Sequence, residues 1–499
     1  MERMPTAVAG QHQPFTANRD YGLRWQYYIN NDPYGYIREV IGRSVPAARG
    51  LYNPVYLVAE FYAARLWPGT LPDALPIVAE REGLETAVQQ IWQWSNFGQR
   101  KQALARRLPI FGDSFIKVAG RRDGVGAVTA VYHQQIDPRY VWDFEIDERG
   151  YVTWIRIDTP YTDWEAEPLP KEMVQTEVIS KSRGDMRIWR TPQASYTADR
   201  REPAAEPDEI LLLSSFGIDF VPVVHVPCVD IGVKRGWTPF DAQLDKIDEL
   251  NRMATRLHEI IFAYDKPILG IKANQVDATG RPMPAPKINA TADETEGEIG
   301  GVRVMRFPGN SEAEWLVPNI NFEPHIKSMV QLMEEIEANL PEFRLQRLAK
   351  MNQVAADTVD MLLGDAEARL LEVRGNAETG LAQANAMALT ISQNAKLKGF
   401  GVNEIGTYAA GDFSHNFQER PVFLPANSVR ATTAKALHDA GTPTKQALKM
   451  AGWGETELDG YDDEVAAEAL RQRTTFAAVR TEAQRRFDSG AASNGEERP

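Results

Sequence analysis

The run GWTPFDAQLDKIDELNRMATRLHEIIFAYDKPILGI, Gly236–Ile271, sets out one long one-sided helix with a signal at each end. TPFD reads as a start: Thr238 as N-cap, Pro239 at the first helical position and Asp241 near the positive end of the macrodipole. Behind it Phe240, Leu244, Ile247, Leu250, Met253, Leu257, Ile261 and Tyr264 recur every three or four residues, and Pro267 closes the run. A single apolar stripe about 40 Å long is expected, at 1.5 Å per residue. Two polar residues, Asn251 and His258, fall inside the stripe seven positions apart. Two readings of them stand: with Leu250 and Leu257 they fix which helix, of this subunit or another, packs on the seam and in what register, or they bond water at its edge.

Working outward, residues 267–323 predict a compact insert with short strands ILGIKA, VRVMRF and EWLVP. A second helix follows, PHIKSMVQLMEEIEANL, bracketed by Pro324 and Pro341. Ile326, Met329, Val330, Met333, Ile336 and Leu340 share one side of it, and Lys327, Gln331, Glu334, Glu335 and Asn339 the other. Next comes LPEFRLQRLAKMNQVAADTV, Leu340–Val359, where Arg344, Arg347 and Lys350 form a small cationic cluster with Glu342 the nearby acid. An alanine-rich helical pattern then runs from Ala355 to Lys398. Gly364, Gly375 and Gly380 lie within it, each costing about 1 kcal/mol relative to Ala, so bends are expected there. AGTPTKQALKMAGWGETELDG predicts helices with glycine stops, and the polar tail after Phe487 predicts disorder.

On the other side, residues 1 to about 110 read as mainly helical. From FGDSFIKVAG the period changes to two, and DSFIKVA, AVTAVYHQ, RYVWDFEI and YVTWIRID read as strands. Residues 160–209, rich in Pro, Glu and Ser, are expected to be mostly loop before a buried strand FVPVVHVPCV. No internal repeat is evident.

Composition narrows the function by exclusion. The 499 residues predict roughly two to four domains. A formal charge of −14 argues against a protein that grips duplex DNA over a wide surface, though not against one that lets DNA pass. One cysteine, Cys228, excludes a disulfide framework and multi-cysteine metal sites, and fits a reducing compartment. The N-terminal residues carry no apolar leader, and the most apolar window is broken by Asp219, two prolines and His225, so neither secretion nor a membrane span is indicated. Walker, HExxH, GxSxG and CxxC patterns are all missing. Seven scattered histidines offer no zinc spacing, and the pairs Asp462/Asp463 and Glu334/Glu335 sit on polar segments. No catalytic residue, cofactor or metal is therefore expected, although carboxylates gathered from distant positions would escape such a reading.

The order of parts resembles the portal proteins of tailed double-stranded DNA bacteriophages. The resemblance is carried by FGDSFIKV, VPVVHVPC, the opening run, NLPEF, AADTVDMLLGDAEARLL and the late ALHDAGTPTKQALKMAGWGETELDG, across roughly residues 50–470. It implies an α+β, predominantly helical portal-type subunit. Residues 1–237 would be the wing, 238–266 and 324–340 the two stem helices, and 267–323 a small αβ clip. A channel loop at 341–357, a long wing helix with its return at 358–424, a helical crown at 425–485 and a disordered tail at 486–499 would complete it. The resemblance further implies a ring of twelve copies at the capsid vertex of the virion, assembled in the host cytoplasm, that conducts DNA during genome packaging and ejection. Its partners would be double-stranded DNA, the terminase large subunit, head-completion and neck proteins, and capsid and scaffold proteins. Arg344, Arg347 and Lys350 would face DNA in the channel loop, and Lys327, Gln331, Glu334 and Glu335 would line the channel along the stem. This chain has MNQVAADTV where many relatives carry a Ser-Gly-rich turn. For the cationic cluster, pairing with neighbouring acids or with a helix C-terminus is the competing reading. For the whole chain the alternative is a nucleic-acid-processing enzyme or another phage head component.

Overall fold

The computed structural model describes residues 16–42, 48–124, 126–166, 169–264, 268–273, 279, 281, 296–299, 302–308, 313–316, 321–343, 356–401, 413–418, 420, 427–453, 458, 460–467, 470–471 and 481. Two compact units are distinguished: Met1–Trp67 with Ala79–Asn416, and Pro68–Val78 with Phe417–Pro499.

In the larger unit a helical layer comes first: α1 (Thr16–Ile29), α2 (Val55–Leu66), α3 (Leu84–Trp94) and α4 (Phe97–Phe111). Tyr21, Ala59, Ile110 and Phe111 pack together there, with Trp25 and Tyr28 against them. Gly112 ends α4 at φ 81, a left-handed turn that spares it a Cβ clash. The chain then enters β1 (Asp113–Arg122) and β2 (Val128–Ile136), which with the later β8 make a three-stranded antiparallel sheet in the order β2-β1-β8.

A second sheet is a plain antiparallel meander: β3 (Val141–Ile146), β4 (Val152–Asp163), β5 (Lys171–Ser180), β6 (Asp185–Pro192) and β7 (Glu209–Leu212). This corrects the reading of residues 160–209 as mostly loop. The misleading composition belongs to the solvent side. Val174, Thr176 and Val178 are buried and alternate with the partly exposed Gln175 and Glu177, a period-two pattern that counting Pro, Glu and Ser hides. Of the stretches outside the strands, residues 196–205 lie over the sheet. Their backbone carbonyls at Ala198 and Ala205 accept the indole N–H groups of Trp142 and Trp189, each at 2.9 Å.

After β8 (Val223–Pro227) come the helix pair, α5 (Leu244–Tyr264) and α6 (Glu323–Asn339), and between them the insert. The insert holds β9 (Ile268–Ala273), β10 (Glu296–Ile299), β11 (Val302–Pro308) and β12 (Ala313–Leu316) in the order β10-β11-β9-β12. β9 runs parallel to β11 and antiparallel to β12. The long helix α7 (Ala356–Asn394) spans about 58 Å as one element. It crosses the three-stranded sheet on a small-residue face, with Ala377, Ala384 and Ala388 buried. The expected bends at its glycines give way to a continuous helix. Gly380 is instead a contact point, because a Cβ there would stand 2.4 Å from Val226 Cγ2 on β8.

The smaller unit contains α8 (Asn427–Asp439) and α9 (Thr444–Met450), stopped by Gly441 and Gly452 at φ 96 each. The Arg430 guanidinium bonds the Gly452 carbonyl and lies over the Trp453 ring at 4.3 Å, tying the end of the pair to its beginning.

Candidate functional site

The helix pair takes its position from its root. Helical structure begins at Asp241, with a 3-10 turn Asp241–Gln243 leading into α5, so the expectation of Thr238 as N-cap is corrected. The Thr238 hydroxyl is buried and takes no helix N–H among the described residues. The Asp241 carboxylate accepts the Thr238 N–H at 2.9 Å and a two-point clasp from the α1 guanidinium of Arg24, at 3.0 and 2.7 Å. One further turn pair along, Asp248 accepts the hydroxyls of Tyr27 and, at 3.0 Å, Tyr34. Burial holds the Asp248 carboxyl above the usual carboxylate range, and the two tyrosine bonds only partly offset this.

Asn251 is 1% exposed and meets the main chain of Tyr52 twice: its Oδ1 accepts the Tyr52 N–H at 2.8 Å and its Nδ2 donates to the Tyr52 carbonyl at 3.0 Å. Thr255 continues the line, accepting the Arg49 N–H at 2.9 Å while donating to the Asn251 carbonyl at 2.7 Å. Asp241, Asp248, Asn251 and Thr255 therefore form one polar line down α5, at steps of seven, three and four residues. Asn251 does fix a register, but of the backbone around Tyr52 and not of a second helix. Leu250 beside it is buried.

Past Thr255 the surroundings change. Leu257 is half-buried and His258 is exposed, with its ring edge-on to Phe262 at 6.3 Å. Ile260, Ile261 and Phe262 are exposed, Phe262 at 66%. Within the chain Leu257 and His258 thus sit outside the packed part of the seam. On α6, Ile326 and Val330 are likewise exposed, while Ile336 and Leu340 near the other end are buried. Lys327, Gln331, Glu334 and Glu335 all face solvent. Lys327 pairs with Glu323 at 2.8 Å, and Glu335 with Lys246 of α5 at 3.3 Å, a cross-helix link too exposed to add much stability.

α6 ends in a tight turn, Pro341–Phe343, whose three residues are buried. Its Glu342 carboxylate accepts the Tyr62 hydroxyl of α2 at 2.6 Å, and burial raises the Glu342 carboxyl above its ordinary value. Arg344, Arg347 and Lys350 lie outside the described residues, as do most of the insert residues between the strands and the tail from 486 on.

One cluster escaped sequence reasoning. Asp113, fully buried at the start of β1, accepts the Tyr21 hydroxyl of α1, the His225 Nε2–H of β8 at 2.6 Å and the Gly236 N–H at 2.7 Å. Arg235 donates to the Tyr21 hydroxyl at 2.6 Å. Gly112 and Gly236 cross beside it so closely that a Cβ on Gly236 would stand 2.2 Å from the Gly112 carbonyl oxygen. An Asp–His pair invites a catalytic reading. Here every partner is protein, solvent is shut out, and the cluster joins α1, the sheet and the segment leading into α5. The signal was present in FGDSF, an acid at the head of an otherwise apolar strand, but its partners are about a hundred residues away on either side.

Comparisons with known proteins add likenesses in structure only. No family model matches the chain, and no curated protein matches it in sequence. The chain is similar to chains of a gene transfer agent particle. One, in a structure described as the virion of the native particle, is 11% identical over 77% of this chain and 85% of that chain, with a TM-score of 0.39. Another, in the neck of the native particle computed with C12 symmetry, is 12% identical over 80% and 90%, with a TM-score of 0.38. A third, in the neck of the empty particle computed with C6 symmetry, is 12% identical over 81% and 91%, with a TM-score of 0.41. At these TM-scores the likeness carries no argument about function. Among the described residues no group of His, Cys, Asp and Glu could hold a metal, and no helix is long and apolar enough to cross a membrane.

Proposed function

We propose that this chain is a portal-type subunit, a structural and non-catalytic component of a ring that passes double-stranded DNA. The observation that carries the reading is the divided helix pair: its root is locked to the chain by buried polar bonds, while its outer halves hold Ile260, Ile261, Phe262, Ile326 and Val330 out to solvent. A patch of that kind is unusual on a monomer, and copies of the same pair packed side by side would cover it. The β insert at the far end of the pair is placed to meet the packaging motor and later the neck proteins. Lys327, Gln331, Glu334 and Glu335, polar and exposed, suit the channel side of the stem.

Arg344, Arg347 and Lys350, repeated by ring symmetry, would form a short positive collar within an acidic tube. Few phosphates would be neutralised at a time, so contact would be weak and salt-sensitive, which suits sliding. The ring is tested by native mass spectrometry and negative-stain imaging of the purified chain: closed rings, expected twelve-fold, with an axial hole. Monomer at every concentration and salt refutes it. The collar is tested by replacing the three cations with Gln. Ring yield and melting temperature should hold, since exposed charges contribute about 0 to 1 kcal/mol each, while the length of DNA packaged or retained should change. Early melting with no rings, or packaging like the parent, rejects the collar.

A further inference from the structure

Two surface features of the larger unit take no part in the helix pair, and they are opposite in charge. The first is the tip of the β4–β5 hairpin. Trp164 there is 77% exposed and Leu169 72% exposed, the two most exposed large apolar side chains of the described residues. Asp163, Glu165 and Glu172 outnumber the one cation near them, Lys171, which lies opposite Asp163 in the strand register, and Glu165, Lys171 and Glu172 are exposed. A tryptophan held on a hairpin tip among acids does nothing for its own core.

The second feature gathers around the turn at Phe216 and Gly217. Arg122, near the end of β1, places its guanidinium over the Phe216 ring at 4.5 Å. Asn394, the last residue of α7, donates its side-chain amide to the Phe216 carbonyl at 3.3 Å and the Gly217 carbonyl at 2.8 Å. Lys396 and Lys398 follow two and four residues later, and Arg121 precedes Arg122. All four cations are exposed, and none forms an ion pair among the described residues. Lys396 and Lys398 complement the negative end of the α7 dipole. Arg121 and Arg122 come from a strand and have no such use, and the four cations outnumber the exposed acids next to them in sequence, Asp123 and Asp219, on a chain whose formal charge is −14.

We propose that the Trp164 hairpin tip of one copy seats on the Arg122–Phe216 patch of the next, as the head-to-tail contact of the wing. The inference rests on the ring reading. A second copy is favoured over a polyanion because the chain itself carries a matching acidic and apolar finger in equal number. Phe216 with its stacked guanidinium also offers a surface suited to an indole, which phosphates do not need. The contact is heterologous, one patch against a different one, and such contacts give a ring where the rotation between copies closes and an open filament where it does not.

The test uses the full chain. Cys228, the only cysteine, is buried and its thiol pushed well up by burial, so it stays silent to maleimides. A variant carrying both Trp164→Cys and Arg122→Cys, treated with a short bis-maleimide, should give a ladder of covalent multimers ending at the ring number. Chains with either cysteine alone should give none beyond a dimer. Separately, Arg121→Glu with Arg122→Glu should lose most ring yield at moderate salt, and adding Glu165→Lys with Glu172→Lys should recover it. Rings that form without a ladder, or charge reversals that leave ring yield at the parent level, overturn the contact. Binding of duplex DNA by the parent that the arginine reversal abolishes, with no ladder, also overturns it and gives the patch to nucleic acid. A parent that forms no rings is recognised before any variant is made, and it removes the ring reading along with the contact.

Discussion

The inner and outer halves of α5 have the same sequence pattern and opposite fates. In the inner half the stripe through Ile247 and Leu250 is buried, and a polar line from Asp241 to Thr255 bonds it to α1 and to the backbone around Tyr52. In the outer half the stripe runs on through Ile261 without a break, yet Ile260, Ile261 and Phe262 stand in solvent. Periodicity reports that one face of a helix is apolar; it does not report which chain will cover that face. The polar line separates the two cases. Where Asp248, Asn251 and Thr255 find partners within the chain, so do the apolar residues beside them.

The contrast can be broken by substitution. The largest effect is expected from Leu250→Ala, which removes a buried side chain of the inner half: about 2 to 5 kcal/mol of stability by chemical denaturation. The same change at half-buried Leu257 should cost clearly less in the separated chain, and an equal loss at the two positions would erase the distinction. Next comes Asn251→Ala. It strands the N–H and carbonyl of Tyr52 and should cost about 1 to 3 kcal/mol, with faster hydrogen exchange at Tyr52 as its local signature.

A smaller, pH-dependent effect follows from Asp248. Its folded carboxyl is held above the ordinary value by burial, so the protonated form is the one the fold favours. The contribution is fully present below the unfolded carboxylate value near 3.8 and is lost as pH rises through the raised folded value. The difference in stability between the parent and Asp248→Asn, taken pH by pH from their melting temperatures, should therefore shift against the parent as pH rises through that window, whatever the other carboxylates add to both profiles. A difference that shifts in the parent's favour would contradict the burial argument. The smallest effect on folding belongs to Phe262→Ser, expected within about 0.5 kcal/mol for the isolated chain. Its consequence should appear only in assembly, as lost ring yield. A large drop in chain stability would mean the outer half is packed internally after all.

Much of this organisation was legible. The helix pair around a β insert, the alternating strands from Asp113 onward and the polar residues Asn251 and His258 inside an apolar stripe all follow from local pattern. What was not legible depends on partners far away in sequence. Asp241 is clasped by Arg24, some 217 positions earlier, a partner that no local pattern announces. The strands β5 and β6 hid because their outward residues dominate the composition. Asp113 reads as one more acid until Tyr21, His225 and Gly236 are brought to it. The cationic cluster at Arg344, Arg347 and Lys350 stays where the sequence left it, a proposal with a stated test.

The parallel pairing of β9 with β11 bears on how the chain is made. β9 lies in the middle of its sheet, yet it leaves the ribosome before either of its neighbours, β11 and β12. It must wait, unpaired, while the rest of the insert is synthesised. When β12 arrives, the pairing of Ile268 with Leu316 draws the far ends of α5 and α6 together. Most of the loop-closure entropy between the two helices is then already spent when α6 begins to form, so docking of α6 onto α5 has little further search to do. Closing the insert sheet thus brings the two helices of a half-exposed pair together within a single chain.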